Sequence, residues 1–514
     1  MRGRLALSWV VLPILLGLAT PSLAGASAAN TQRQVEATLA GAPKGTRFGL
    51  LVVDDAGKVI VSVEPDQRFI PASNTKMFTT AAAYALLAAM GRPDTFGGTQ
   101  VALVPLRDLE RFSRKGSGLL PGLGPQDKVP PGPVDVWLGG RGDARMSSAA
   151  TCQVDCLATL ADAVAAKTRR VRDVVGDDSF WPDQRWTPGM SWNNIGTDSG
   201  TAGAALNLDD NELPITVTPG TIGQAPTVVV PAYFTLQNDA RTLAAGGAPA
   251  LVIERPVNSL KLRIYGTIPV DAKPWTERIG IDDPAHFAAW TFKAMLEARG
   301  VTVTGTVRVN HRARQRDDLP HDPGPLGTVI QLGFNPLASL TPPPLADDVV
   351  IINKVSQNLH AQVLFRRVGD QTGTGSEEWS SAGLANLLTK AGIPREGYDF
   401  SDGSGMSTYN RVSPSAAVTL LRWIATQPWG KAWYASLPIA GVDGTLKKRF
   451  VGTPLAGNLI AKTGTLNATN ALSGTFRAAS GKVLTFAFFA NDVPDGQTAV
   501  PTMEAVLLTI AANN

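Results

Sequence analysis

Apolar and polar positions alternate in two different rhythms along this chain, and the rhythms separate its two ends from its middle. A short amphipathic stretch near Thr31 to Leu39 predicts a helix. Thr46 to Asp54 then reads as a strand, Asp55-Ala56-Gly57 supplies turn chemistry, and Lys58 to Val63 returns as a second strand. Pro71-Ala72 leads into Met77 to Met90, which is apolar nearly all round, as a buried helix is. The C-terminal end uses the same elements. Leu459 to Lys462, Ala471 to Arg477 and Lys482 to Asn491 read as strands, Ala479-Ser480-Gly481 as a turn, and Pro501 to Ala512 as a closing helix. Two N-terminal and three C-terminal strands predict one antiparallel sheet with helices on its faces, an α+β arrangement. The middle, from Gly91 to Thr328, is different: Gly- and Pro-rich with short alternating stretches, it reads as β-rich inserted structure. Within it, Lys115 to Pro133 reads as loop or linker, and no internal repeat is present.

Length and composition set limits on this picture. At 514 residues the chain exceeds one ordinary core, and 44% apolar with 18% charged residues describes a globular protein. Net charge is +4, of which Arg2 and Arg4 supply two, so there is no electrostatic case for nucleic acid. Those arginines precede the apolar run Leu5 to Leu18. Small residues follow in Ser22-Leu23-Ala24, Ala24-Gly25-Ala26 and Ala26-Ser27-Ala28, the pattern of an export leader over 1–28. An uncleaved anchor also fits the apolar run; Pro13, Pro21 and the small-residue tail favour cleavage. Either way the protein is expected outside the cytoplasm, in a periplasm or associated with a cell wall. Cys152 and Cys156 are then candidates for a local disulfide of small stabilising effect, because the loop is short. Two thiols do not fill a tetrahedral metal shell, and the C-x-x-C spacing of a redox pair is absent.

Three strings carry candidate chemistry: Ser73-Asn74-Thr75-Lys76, Ser356-Gln357-Asn358 and Lys462-Thr463-Gly464-Thr465. Each alone has an ordinary reading: an N-cap serine with a solvated lysine, a helix start, and an edge strand guarded by a lysine. Together and in order they read as S-x-x-K, S-x-N and K-T-G, the motif set of penicillin-binding proteins and serine β-lactamases. Ser73 stands at a loop-to-buried-helix junction with Lys76 one turn later on the same face. A lysine can take the proton of a serine nucleophile if burial and a neighbouring cation lower its pKa, and Lys462 is the candidate cation. Gly464 lets a substrate backbone approach the strand, while Lys462 and the threonines offer charge and hydroxyl donors to a carboxylate.

On these motifs the chain resembles the D-alanyl-D-alanine carboxypeptidase/endopeptidase family of class C low-molecular-mass penicillin-binding proteins (peptidase family S13). Further family-like segments are Trp137 to Asp143, Asp177 to Phe180, Ala205 to Asn211, Gly266 to Pro269, Asp402 to Ser407 and Gly441 to Thr445. The resemblance covers nearly the whole chain after the leader. It implies a β-lactamase/transpeptidase-like catalytic domain split between 30–90 and 329–514. Between the halves it implies an insertion over 91–328 with a further domain nested inside it. The 283 positions between Ser73 and Ser356 match that architecture.

The resemblance also implies roles. Ser73 attacks the D-Ala-D-Ala carbonyl of peptidoglycan stem peptides, or a β-lactam, and Lys76 takes its proton. Ser356 returns a proton to the leaving amine, and Asn358 orients the substrate amide and Lys76. Lys462, Thr463 and Thr465 hold the terminal carboxylate, and the N–H groups of Ser73 and Thr465 form the oxyanion hole. No cofactor is implied. Three positions depart from the family pattern: Gln357 where Asp is more frequent (expected to point away from substrate), Gln362 where Glu is frequent, and Arg141 within a glycine run.

Other readings fit less of the sequence. A class A β-lactamase needs a second base, and no E-x-x-L-N segment exists. A triad hydrolase lacks G-x-S-x-G, and His286, His311, His321 and His360 are expected to be structural or surface. No H-E-x-x-H metal spacing occurs. A non-catalytic cell-wall scaffold leaves four intact nucleophile, base and carboxylate-binding residues without a use.

Overall fold

Strands from both ends of the sequence meet in one five-stranded sheet. In the computed structural model, which describes residues 23–87, 90–106, 122–320 and 335–514, the order is Ile460–Leu466, Thr469–Arg477, Val483–Asn491, Arg47–Asp54, Val59–Val63. Every neighbouring pair is antiparallel. Its three inner strands are largely buried on both faces, and period-two alternation sorts their side chains into two cores. Leu50, Val52, Phe486 and Phe488 face the helix Val500–Asn513 through Met503, Leu507 and Ile510. Val53, Ala487 and Phe489 face the Thr75–Leu86, Asn358–Thr372 and Pro414–Ala425 helices through Phe78, Phe365 and Leu420. The expected N-terminal helix runs over Leu23–Ala40, beginning earlier than its amphipathic pattern, and packs on Val500–Asn513. The buried helix spans Thr75–Leu86, with a 3-10 turn before it at Ala72–Asn74.

The middle contains more helix and more parallel pairing than its texture suggests. A second five-stranded sheet runs Val307–Arg312, Val174–Pro182, Val134–Gly139, Gln100–Pro105, Ala338–Ser339. Val174–Pro182 pairs in parallel with both of its neighbours. Such a strand is buried along its whole length, as parallel strands are, and so shows no alternation to read. The helices Leu157–Lys167 and Pro284–Ala298 belong to this part. The second carries a start signal: Asp283 Oδ1 accepts from the His286 N–H at 2.9 Å, and Pro284 follows at the first helical position.

Two three-stranded sheets lie between these elements in sequence. One is Trp275–Gly280, Glu212–Thr218, Thr227–Val229; the other is Ala250–Glu254, Lys261–Pro269, Thr235–Leu243. One continuous hydrophobic cluster joins their inner residues Ile215, Ala240 and Ile264 to Val136, Leu160 and Phe292. The expected leader up to residue 22, Lys115 to Pro121 of the expected linker, and the expected boundary at 328 lie outside the described residues. Ala338–Ser339 pairs with Gln100–Val101, so the middle sheet takes in residues past that boundary.

Candidate active site

Local backbone strain presents Ser73. It sits inside the Ala72–Asn74 turn, and Ala72 is held at a φ of +47°, in the left-handed region that side chains disfavour. Gly405, at φ +91°, packs so closely that a Cβ there would lie 2.0 Å from the Ala72 carbonyl oxygen. Asn74 fastens the same turn to the edge strand, its Nδ2 donating to the Lys462 carbonyl at 3.0 Å. Gly464 lies against this join: a Cβ would be 2.7 Å from the Pro71 oxygen and 3.1 Å from Asn74 Nδ2. In this structure the K-T-G glycine thus admits the serine's own turn, beyond any room it leaves for substrate.

Lys76 is fully buried one helical turn on. Its Nζ is 2.9 Å from Ser73 Oγ, 2.6 Å from Asn358 Oδ1 and 2.5 Å from the Ser404 carbonyl. Burial pushes its pKa down to about 7, although the negative charge of Asp402 works in the opposite direction. Asp402 is itself fully buried. It accepts from Ser404 Oγ, the Gly405 and Ser407 N–H groups and Asn410 Nδ2, fixing the loop whose carbonyl meets Lys76.

Lys462, also fully buried, donates to Ser356 Oγ at 2.9 Å and to the Thr463 carbonyl at 3.0 Å. Burial is the main cause of a pKa held well below the usual lysine range, and the charge of Lys76 adds to it. Of the two causes expected to lower the Lys76 pKa, burial is the one that acts, and Lys462 is not among the charges that shift it. Ser356 adopts φ +67° between the Leu345–Lys354 and Asn358–Thr372 helices, a strained position that turns its hydroxyl toward Lys462. Thr463 Oγ1 is 2.7 Å from Thr445 Oγ1, and Thr465 is exposed two residues further along the same strand.

The fold therefore collects Ser73, Lys76, Ser356, Asn358, Lys462, Thr463, Gly464 and Thr465 along one seam. The seam lies between the edge strand, the start of the Thr75–Leu86 helix and the Ser356–Asn358 corner. Gln357 does turn aside: Oε1 caps the next helix by accepting from the Leu359 N–H at 2.7 Å, and Nε2 reaches Glu212 at 3.1 Å. Gln362 accepts from the Gly403 N–H and donates to Glu377, supporting the Asp402 loop from behind. Arg141 lies over the rings of Phe96 and Phe180.

Cys152 and Cys156 are bonded and precede the Leu157–Lys167 helix of the middle region. His360 is buried between Asp348 and Asp210, His311 meets Asp178 and Asp283, and His286 meets the Tyr233 hydroxyl. His321 lies outside the described residues.

Sequence reasoning gave no role to Asn74, Thr445 or the Ser404 carbonyl, and none to Asp402 beyond its place in a family-like segment. Asp402-Gly403-Ser404-Gly405 carried turn chemistry that marks a tight loop, but not that it would fold over Lys76.

The family model described as D-Ala-D-Ala carboxypeptidase 3 (S13) matches residues 31–102 and 124–513. A D-alanyl-D-alanine carboxypeptidase of Actinomadura sp. (strain R39) is 32% identical, over 98% of this chain and 88% of that protein. D-alanyl-D-alanine carboxypeptidase DacB of Haemophilus influenzae is 27% identical over 66% of this chain and 69% of its own length. Among solved structures, penicillin binding protein 4 of Haemophilus influenzae superposes with a TM-score of 0.73 at 23% identity. That superposition covers 93% of this chain and 98% of that one, and it supports the α+β fold.

Proposed function

Because the chain belongs to the D-Ala-D-Ala carboxypeptidase 3 (S13) family, we propose that it cleaves peptidoglycan stem peptides through an acyl-enzyme on Ser73. The observation that carries this reading is the buried Lys76 amine, 2.9 Å from Ser73 Oγ with a pKa near 7. A neutral amine has two hydrogens and one lone pair. The hydrogens satisfy Asn358 Oδ1 and the Ser404 carbonyl, leaving the lone pair for the Ser73 hydroxyl.

Ser73 Oγ bonds to the carbonyl carbon of the D-Ala-D-Ala bond as its proton passes to Lys76. The N–H groups of Ser73 and Thr465 receive the oxyanion. The C–N bond then breaks as the proton held by Lys76 passes through the Ser356 hydroxyl to the departing amine, which leaves Lys76 neutral again. Water, deprotonated by the neutral Lys76, attacks the ester carbonyl, and the bond to Ser73 Oγ breaks as Lys76 returns the proton to that oxygen. The substrate carboxylate binds Lys462, Thr463 and Thr465 and restores the positive charge that burial disfavours at Lys462. Asn358 orients the substrate amide.

A free D-alanine leaving group makes this a carboxypeptidase reaction, and a cross-linked side-chain amine makes it an endopeptidase reaction; the proposal includes both. A β-lactam acylates the same serine and leaves slowly. The leader pattern over 1–28 supports export to a periplasm or cell wall.

Labelling by a fluorescent penicillin and D-alanine release from a pentapeptide test the reading together. Ser73→Ala is expected to abolish both. Labelling of that variant at another serine would remove the nucleophile from Ser73. Mass analysis of peptidoglycan fragments separates pentapeptide trimming from conversion of cross-linked dimers to monomers.

A further inference from the structure

Beside the active-site seam, a cleft of about 560 Å³ opens between the 192–199 loop and the two three-stranded sheets. That is ample for a small polar ligand, since ligand sites commonly span about 300–1,000 Å³. Ser199 connects the two places: it lines the cleft, and its carbonyl accepts from Asn358 Nδ2 at 2.9 Å.

The walls are built rather than incidental. Arg255, whose side chain is only 2% exposed, pairs with Asp282 at 2.6 Å and donates to the Ile195 carbonyl, pinning the loop to the Ala250–Glu254 strand. Thr197 bridges to Ile279, and the Gly280 N–H reaches the Gly196 carbonyl, pinning it to the Trp275–Gly280 strand.

The groups that line this rigid cleft are left open. Trp192 is 78% exposed and stacks on no other aromatic ring among the described residues. The Glu277 carboxylate and the Tyr265 hydroxyl have no hydrogen-bond partner among the described residues. One oxygen of Asp198, Oδ1, accepts from Ser199, and the other is free. The two arginines of the lining are already committed, Arg255 to Asp282 and Arg278 to Glu212, so nothing here favours an anion. An aromatic face flanked by carboxylate and hydroxyl groups suits a ligand with apolar C–H faces and outward hydroxyl or amide donors, which is a saccharide.

We propose that this cleft binds N-acetylated amino sugars of the glycan strand to which the substrate's stem peptide is attached. The inference rests on the proposed action on stem peptides. In that reading the terminal carboxylate goes to the Lys462–Thr465 strand, and the cleft lies on the other side of the seam, behind Asn358. On this proposal the acyl part of the peptide, and the sugar beyond it, runs past Asn358 and Ser199 into the cleft. The inserted sheets thus gain a function: they measure whether the peptide is still on its glycan.

Two readouts keep the inference separate from the acyl-enzyme reading. In the first, the full-length Ser73→Ala protein is titrated with chitotriose and followed by tryptophan fluorescence. A saturable change that is lost in Ser73→Ala/Trp192→Ala supports the cleft, and no change, or one that survives loss of Trp192, overturns it. This result stands even if the enzyme releases no D-alanine. In the second, KM for D-alanine release is compared between disaccharide-pentapeptide and free pentapeptide. The expected KM is roughly fivefold or more lower for the disaccharide form. Trp192→Ala/Glu277→Gln is expected to erase that difference with penicillin labelling unchanged. Equal KM values in the unmodified enzyme, or a difference that persists in the double variant, would refute it, as would competition by a diamino peptide but not by chitotriose.

Discussion

Asn74 Nδ2 donates to the carbonyl oxygen of Lys462 at 3.0 Å, across 388 positions of sequence, so the turn that carries Ser73 hangs directly on the strand that carries Lys462. Asn74→Ala removes this tie inside a buried site. It should cost about 1–3 kcal/mol in urea unfolding and slow penicillin labelling more than it weakens folding would suggest, because the turn loses its reference to the strand. Unchanged labelling at a lower stability would make the bond structural only.

Gly464→Ala should damage the same join by crowding it. The added carbon would meet the Pro71 oxygen and Asn74 at 2.7 and 3.1 Å, and backbone cannot swing away as a side-chain tip can. The expected result is a loss of about 1–3 kcal/mol with labelling reduced tenfold or more. Stopped-flow acylation by a chromogenic cephalosporin measures it.

The pH profile of kcat/KM for D-alanine release should rise with slope one through about pH 7, where Lys76 loses its proton and becomes a base. Asp402 stabilises the charged form of Lys76, so Asp402→Asn should move this acid limb to lower pH while also reducing stability. An acid limb that stays in place would separate Asp402 from the base.

His360 predicts a pH-dependent stability term. Burial alone would lower its pKa, but hydrogen bonds to Asp210 and Asp348 prevail and raise it to about 9. The folded value exceeds the usual 6.5, so the stabilisation is fully present below pH 6.5 and is lost as pH rises through 9. It amounts to about 3 kcal/mol, taking roughly 1.4 kcal/mol per pKa unit. Urea unfolding of the parent and His360→Asn proteins should differ most near pH 6 and converge above pH 9.

Reduction of Cys152–Cys156 should have a modest effect. The bonded residues are four apart, and closing so short a loop is worth about 2 kcal/mol or less. Thermal unfolding with and without reductant reads it, and penicillin labelling should be preserved.

How much of the site could be read in advance depended on whether a residue's role is local. Ser73 and Lys76 share a helix face, and the strands of the five-stranded sheet built from both chain ends alternate or run apolar between clear turns, so both were legible. Val174–Pro182 was not, because burial on both faces erases alternation. The Ser404 carbonyl escaped notice because a backbone acceptor has no side-chain signature. That burial outweighs any neighbouring charge at both lysines was not legible either, since desolvation is a property of the packed interior.

The sequence by itself determined the chemical groups, their order and the split of the catalytic sheet between the chain's ends, because motif spacing and hydrophobic period are written along the chain. Tertiary structure alone decided that Asn74 meets Lys462, that Asp402 sits near Lys76, and that the 192–199 loop reaches Asn358. Each of these joins residues far apart in sequence. Their closeness follows from how the sheets and helices pack, and no local pattern encodes it.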